Sequence, residues 1–300
     1  QNKDFIKLCL NSDLSSEITL QPLKRFNLDA AIIFSDILMI PYALGQEVKF
    51  EKDKGPLLSQ FNLDIFLDNK EKNFIKKLTP VYEAIKKTRK NLDKSKSLIS
   101  FVGAPWTLAV YMLGLKKNKT EIDFDRLSIY ETELRIIIDK INEHLCTHII
   151  NQINAGADTV QIFDSWAGLI PDQYLNDFCY EPNRKLVDFC KNKKIPVICF
   201  PRGINKNYLQ FAKTVNPDCL SLDYEINPLW ARKNLGDYCL QGGMDPKILF
   251  KSEDEIFYEV DRYLKIFRGS PYIFNLGHGL LPETNPDTLK KVIERIGNFK

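Results

Sequence analysis

"AAIIFSDILMIPYALG", residues 30–45, begins as a buried strand and breaks at an acid. Ala30, Ala31, Ile32, Ile33 and Phe34 form the apolar run of a parallel strand covered on both faces, and Asp36 follows with no basic residue close in sequence. Six further β-rich runs repeat the pattern: "LISFVGAP" (98–105), "DTVQIFDS" (158–165), "PVICF" (196–200), "DCLSLDY" (218–224), "DYCLQGGMD" (237–245) and "YIFNLGHG" (272–279). The segments between them have helical period. In the last, Leu289, Val292, Ile293 and Ile296 mark one buried face of a helix starting at Asn285 or Pro286. Strands alternating with helices predict an α/β fold with a parallel sheet. No repeat, low-complexity tract or linker interrupts the series, so residues 1–300 are expected to form one domain.

The expected architecture is a (β/α)8 barrel of the TIM type, which needs eight strands where seven runs are visible. "EVKFE" (47–51) reads as a local hairpin arm, because it follows a short loop with Pro41 and Gly45. The first strand is therefore expected before Gln1, where the chain opens without methionine in an amphipathic segment.

Composition narrows the function classes. The net charge of +3 is spread along the chain, and the lysine clusters "KKNK" (116–119) and "KNKK" (191–194) sit where helices should end. Complementing helix dipoles explains them better than a nucleic-acid surface. Seven cysteines, mostly in apolar runs and without CxxC spacing, point to a reduced compartment. With no signal peptide or stretch long enough to span a bilayer, a cytoplasmic location, or an organellar one after processing, is expected and membrane association is not.

In α/β barrels the site forms at the carboxyl ends of the strands. Those positions hold Asp36, Trp106 and Thr107 followed by Tyr111, Asp164, Ser165, Arg202, Asp223, Asp245 and His278. Each has a bland reading too: a strand-end Asp caps helices, Tyr111 could be core with a wet hydroxyl, and Ser165 could start a helix. Glycines flank His278, which lets the backbone approach a ligand closely or turn sharply. His144 and His148 are four apart but flank a helical core stripe with no third ligand nearby, so no metal is expected. Nucleotide loops of the G-x-G-x-x-G or G-x-x-x-x-G-K-[ST] type are absent.

"LDAAIIFSDILMIPYALG", "FVGAPWTLAVYM", "FDSWAG", "QGGMDP" and "YIFNLGHGLLPETNP" resemble, in order and spacing, the signatures of the uroporphyrinogen decarboxylase family. The resemblance runs from about Asn11 to the C-terminus. It implies a barrel, usually a homodimer, that removes carbon dioxide from the four acetates of uroporphyrinogen to leave coproporphyrinogen, with no metal and no cofactor. By the resemblance, Asp36 and Tyr111 are catalytic. It also implies that Asp36, Tyr111, Ser165 and His278 contact substrate, His278 at a carboxylate, and Phe34 and Ser35 beside Asp36 are expected in the same substrate site. Arg202 is a further basic group expected to contact a carboxylate, although "PRG" could equally be a turn with a solvated side chain.

The family also carries an N-terminal strand and loop similar to P-V-W-x-M-R-Q-A-G-R-Y. No counterpart follows Gln1, which coincides with the uncounted eighth strand, so weak binding and poor turnover are expected of residues 1–300 alone. Two other readings stand beside this one. A zinc-dependent cobalamin or thiol methyltransferase would need His-x-Cys on a strand-end loop, whereas the His144–Cys146 pair lies within a helical pattern. A porphyrinogen-binding protein without catalysis would account for the missing arginines.

Overall fold

A computed structural model describes residues 5–51, 55–118, 121–130 and 132–299. Its strands are β1 (Ala30–Ile32), β2 (Val48–Glu51), β3 (Gly55–Leu58), β4 (Ser97–Gly103), β5 (Thr159–Asp164), β6 (Val197–Pro201), β7 (Cys219–Leu222), β8 (Cys239–Gly242) and β9 (Tyr272–Ile273). Seven of them form one parallel sheet in the order β1-β4-β5-β6-β7-β8-β9, so every expected run contributes a strand. Registers such as Ala31 beside Leu98 and Ile162 beside Cys199 keep all carboxyl ends at one end of the sheet. β2 and β3 pair antiparallel apart from it, which is the hairpin expected of "EVKFE".

Two contacts inside the sheet show that it curls. Gln241 on β8 donates from Nε2 to Gln161 Oε1 on β5 at 3.4 Å and to Ser221 Oγ on β7 at 3.2 Å. Strands three places apart in a flat sheet would lie roughly 14 Å apart at the usual spacing, so these side chains meet only if the sheet closes toward a barrel. Phe101, Phe163 and Phe200 form an edge-to-face row across β4, β5 and β6, with centroids 5.7 and 6.2 Å apart. Among the described residues β1 and β9 do not pair with each other, and along that open seam Ile32 and Ile273 stay 44% and 41% exposed.

The helices cover the outside, as the periodicity predicts. The last runs Pro286–Gly297, capped by Asn285, whose side chain accepts from Asp287 N–H at 2.9 Å. The "KNKK" cluster begins in the last turn of the helix Glu181–Asn192. Lys116 and Lys117 follow the helix Pro105–Met112, while Lys119 lies outside the described residues. All seven cysteines are free thiols. No helix among the described residues is long and apolar enough to cross a membrane.

His144 and His148 lie on the helix Leu134–Asn154 and are both 4% exposed. His144 packs on Phe74 with centroids 4.7 Å apart, and His148 Nδ1 shares a 2.9 Å hydrogen bond with the Tyr82 hydroxyl. No three His, Cys, Asp or Glu side chains converge as a metal site among the described residues. Burial lowers the pKa to about 4 for His144, assisted by Lys140, and to about 3 for His148. The unfolded rings titrate near 6.5, so they contribute stability above that pH and lose it as pH falls toward 4 and 3. The loss amounts to as much as about 1.4 kcal/mol per pH unit for each ring. The urea midpoint should therefore be lower at pH 5 than at pH 7, and His148→Gln should flatten that dependence.

Candidate active site

The end of β1 is held from two sides before the chain turns. Ile33 N–H continues the ladder to Ile99 O at 3.0 Å, and Phe34 N–H donates to Thr19 Oγ1 at 2.8 Å from the helix Ser12–Arg25. Asp36 then accepts from Leu38 N–H through Oδ1 at 2.7 Å, in the turn leading into the helix Met39–Ala43. Part of the bland reading is thus correct: one carboxylate oxygen organises the next turn. No basic side chain pairs with Asp36 among the described residues. Burial raises its pKa, and the Leu38 N–H opposes that rise. Its charge in turn raises the pKa of two neighbours, the Cys9 thiol and the Tyr111 phenol, though burial is the larger cause for each.

Tyr111 is placed by the helix Pro105–Met112, which starts at the end of β4 with proline at its first turn. Its ring meets Trp166 edge to face at 5.8 Å and 72°. Trp166 stands in the turn after β5, directly after Ser165. Ser165 is half-buried and makes no side-chain hydrogen bond among the described residues. The same holds for Ser35. Phe34 is half-buried with its ring edge-on to Phe5 at 5.7 Å.

Two of the other strand-end acids are frame rather than reacting groups. Asp164 is 1% exposed, and its oxygens accept from Thr107 Oγ1 at 2.7 Å and Asn183 Nδ2 at 3.0 Å. Desolvation lifts its pKa to about 6 against those hydrogen bonds. Thr107 Oγ1 also accepts from Trp166 N–H at 3.2 Å, and Trp106 Nε1 donates to Trp166 O at 3.2 Å, so the Ser165–Trp166 turn is locked. Asp223, 2% exposed, accepts from Gly203 N–H at 2.8 Å and Glu225 N–H at 3.0 Å. Asp245 caps a short 3-10 helix through Lys247 N–H at 2.9 Å.

The Arg202 loop is seated by this frame. Arg202 N–H is shared between Asp164 O at 3.2 Å and Phe200 O at 3.1 Å, and Gly168 N–H donates to Arg202 O at 2.9 Å. A Cβ on Gly168 would stand 2.6 Å from Gly203 O, so the last residue of "FDSWAG" must be glycine for the two loops to touch. A Cβ on Gly277 would likewise meet Tyr224 N at 2.4 Å, which explains the first glycine of "GHG". His278 is exposed at the rim. Partial desolvation lowers its pKa, and the charge of Arg202 lowers it further, which puts the two side chains within electrostatic reach. Arg202 has no carboxylate partner among the described residues.

The chosen residues therefore gather at one end of the sheet, with two linked subsets: Asp36 with Tyr111, and Arg202 with His278. The family model for uroporphyrinogen decarboxylase (URO-D) matches residues 1–299. The chain belongs to the uroporphyrinogen decarboxylase family. The uroporphyrinogen decarboxylase of Rickettsia bellii is 40% identical over 306 residues, covering 99% of this chain and 88% of that protein. That of Cereibacter sphaeroides is 37% identical over 300 residues, covering 98% and 88%. Among solved structures, a methyltransferase from Methanosarcina mazei superposes with a TM-score of 0.79 at 17% identity, over 97% of this chain and 86% of that one. At that identity the likeness shows the fold, and the only His-x-Cys here lies on the helix Leu134–Asn154, away from the strand ends.

What the sequence did not reveal is the company these residues keep. Cys9 beside Asp36 and the unpartnered Nε1 of Trp166 depend on chain segments far apart, and no local pattern marks them. Thr107→Val should leave Asp164 and the Trp166 N–H each short of a partner and destabilise the protein by about 1–3 kcal/mol. Thr107→Ser should recover most of that loss, measured by urea unfolding; equal losses for both would contradict the hydroxyl's bridging role.

Proposed function

We propose that this chain catalyses the decarboxylation of uroporphyrinogen acetates to methyl groups, giving coproporphyrinogen, with Asp36 and Tyr111 as the catalytic residues. The carrying observation is a half-buried carboxylate at the end of β1 with no cation beside it. Breaking the bond to a carboxylate leaves an electron pair that needs a sink. A pyrrole protonated on a ring carbon supplies one, so the substrate performs the task that an electron-sink cofactor performs elsewhere. Carbon dioxide leaves, a proton adds to the exocyclic carbon to make a methyl group, and the ring proton departs to restore the pyrrole. One proton is consumed and one carbon dioxide released at each acetate.

An ionised Asp36 accepts hydrogen bonds only, so it suits pyrrole N–H donors converging at the centre of a macrocycle. Its charge is worth most when the ring becomes cationic, because a preorganised anion in a water-poor cleft needs no reorganisation at that moment. Tyr111 and Ser165 would hold the reacting acetate, with Phe34 and Ser35 walling the ring near Asp36. Arg202 and His278 would bind peripheral carboxylates, for which the guanidinium fork is well matched. The family reading also carries a cytoplasmic homodimer without nucleic-acid or membrane partners. Exposed Ile136 and Tyr174, close in sequence to the Arg135–Asp177 ion pair, are apolar surface that a second copy could cover.

Asp36→Asn keeps an oxygen for the Leu38 N–H but removes the charge. In a chain that carries the family's N-terminal arginine loop, turnover of uroporphyrinogen should fall about a hundredfold or more, with the thermal midpoint little changed. Porphyrin binding without carbon dioxide release, by an unsubstituted chain that carries the family's N-terminal arginine loop, would overturn the catalytic reading. Because burial raises the Asp36 pKa, the acid limb of the rate profile should lie above the ordinary carboxylate range: protonation removes the anion as pH falls through the raised value. Sedimentation should give about twice the 34.8 kDa chain mass if the dimer forms.

A further inference from the structure

Trp166 is 8% exposed, and its Nε1 is buried with no hydrogen-bond partner. A buried indole N–H left without an acceptor costs free energy, and such groups are rare enough to require a reason. Everything else about the residue is fixed. Its backbone N–H and C=O are held by Thr107 and Trp106, its ring sits edge to face with Tyr111, and Lys116 Nζ stands 5.5 Å from its ring centroid. An ammonium over the ring withdraws electron density and makes the N–H a stronger donor. The nearby Tyr111 oxygen already takes a weak hydrogen bond from this group, short of full geometry, which favours the ionised phenol against burial and the charge of Asp36.

Resting on the decarboxylase reading, we infer that Trp166 is a positioning residue for Tyr111: its unpartnered indole N–H donates to the phenol oxygen as substrate settles the ring, turning the phenolic O–H away from Trp166 and toward the reacting acetate. A tyrosine hydroxyl rotates freely about its C–O bond. Occupying one lone pair from a rigid neighbour restricts that rotation. The donor side is rigid here, through Asp164, Thr107 and the backbone of Trp166, so only the phenol has to adjust.

Trp166→Phe keeps an aromatic ring against Tyr111 and removes the N–H. It should lower kcat about tenfold while KM changes less than about twofold, since the interaction serves the reacting acetate and not peripheral binding. In a Tyr111→Phe background the same substitution should have no further effect on kcat; additive losses would overturn the inference while leaving the decarboxylase reading intact. A second measurement needs no turnover. The chain has three tryptophans, so it gives three indole N–H resonances, and Trp166→Phe assigns the one in question. That resonance should move downfield when uroporphyrin, which keeps the acetates, is added and should not do so in Tyr111→Phe. The same movement in both proteins, or none in the unsubstituted chain, would show that Trp166 only packs.

Discussion

A carboxylate withdrawn from water with no cation beside it is an unfavourable object, and the chain around Asp36 keeps one there. Burial penalises its charge, and a single backbone N–H from Leu38 offsets part of the penalty. A lysine or arginine at that point would stabilise the anion far more. Under the proposed reaction it would also neutralise the field that a cationic transition state uses. The neighbours are instead neutral groups, the Cys9 thiol and the Tyr111 phenol, whose own ionisation the carboxylate suppresses. The apolar strand is part of the same device: with β1 laddered to β4 and Phe34 tied to Thr19, the charge cannot swing outward to water.

The strand-end acids divide by how completely they are satisfied. Asp164 and Asp223 are nearly sealed, and their oxygens accept hydrogen bonds from side chains or backbone of other elements. They are linked through one loop, since Arg202 N–H bonds Asp164 O while the next residue, Gly203, bonds the Asp223 side chain. The loops after β5, β6 and β7 are therefore hydrogen-bonded to one another, and they carry Ser165, Trp166 and Arg202. A saturated acid stiffens the scaffold; an acid with spare capacity can meet a ligand.

Much of the fold was legible because parallel strands buried on both faces read as plain apolar runs, and all seven such runs entered the sheet. The hairpin and the Asn285 cap were legible for equally local reasons. Strand lengths were not. β9 is only Tyr272–Ile273, because the chain after it leaves the ladder and returns only at a bridge between Leu276 and Met244. In the site, position was legible and role was not. Asp36, Asp164 and Asp223 all end strands, and what separates them is Thr107, Asn183 and Gly203 arriving from elsewhere. Those partners are a property of the folded chain that strand-end position cannot supply.

The arrangement of charge follows from the same logic. Asp36 lies four residues past the end of β1, whereas Arg202 directly follows β6 and sits within reach of His278 after β9. Were Arg202 to pair with Asp36, the site would lose both its anion and its cation in one salt bridge. Under the proposed reaction, keeping them on different strands would leave an anion for a ring that turns positive and a cation for side chains that stay negative. A substrate with a basic centre and an acidic periphery would then satisfy both at once, its binding energy at the rim holding the ring over the carboxylate.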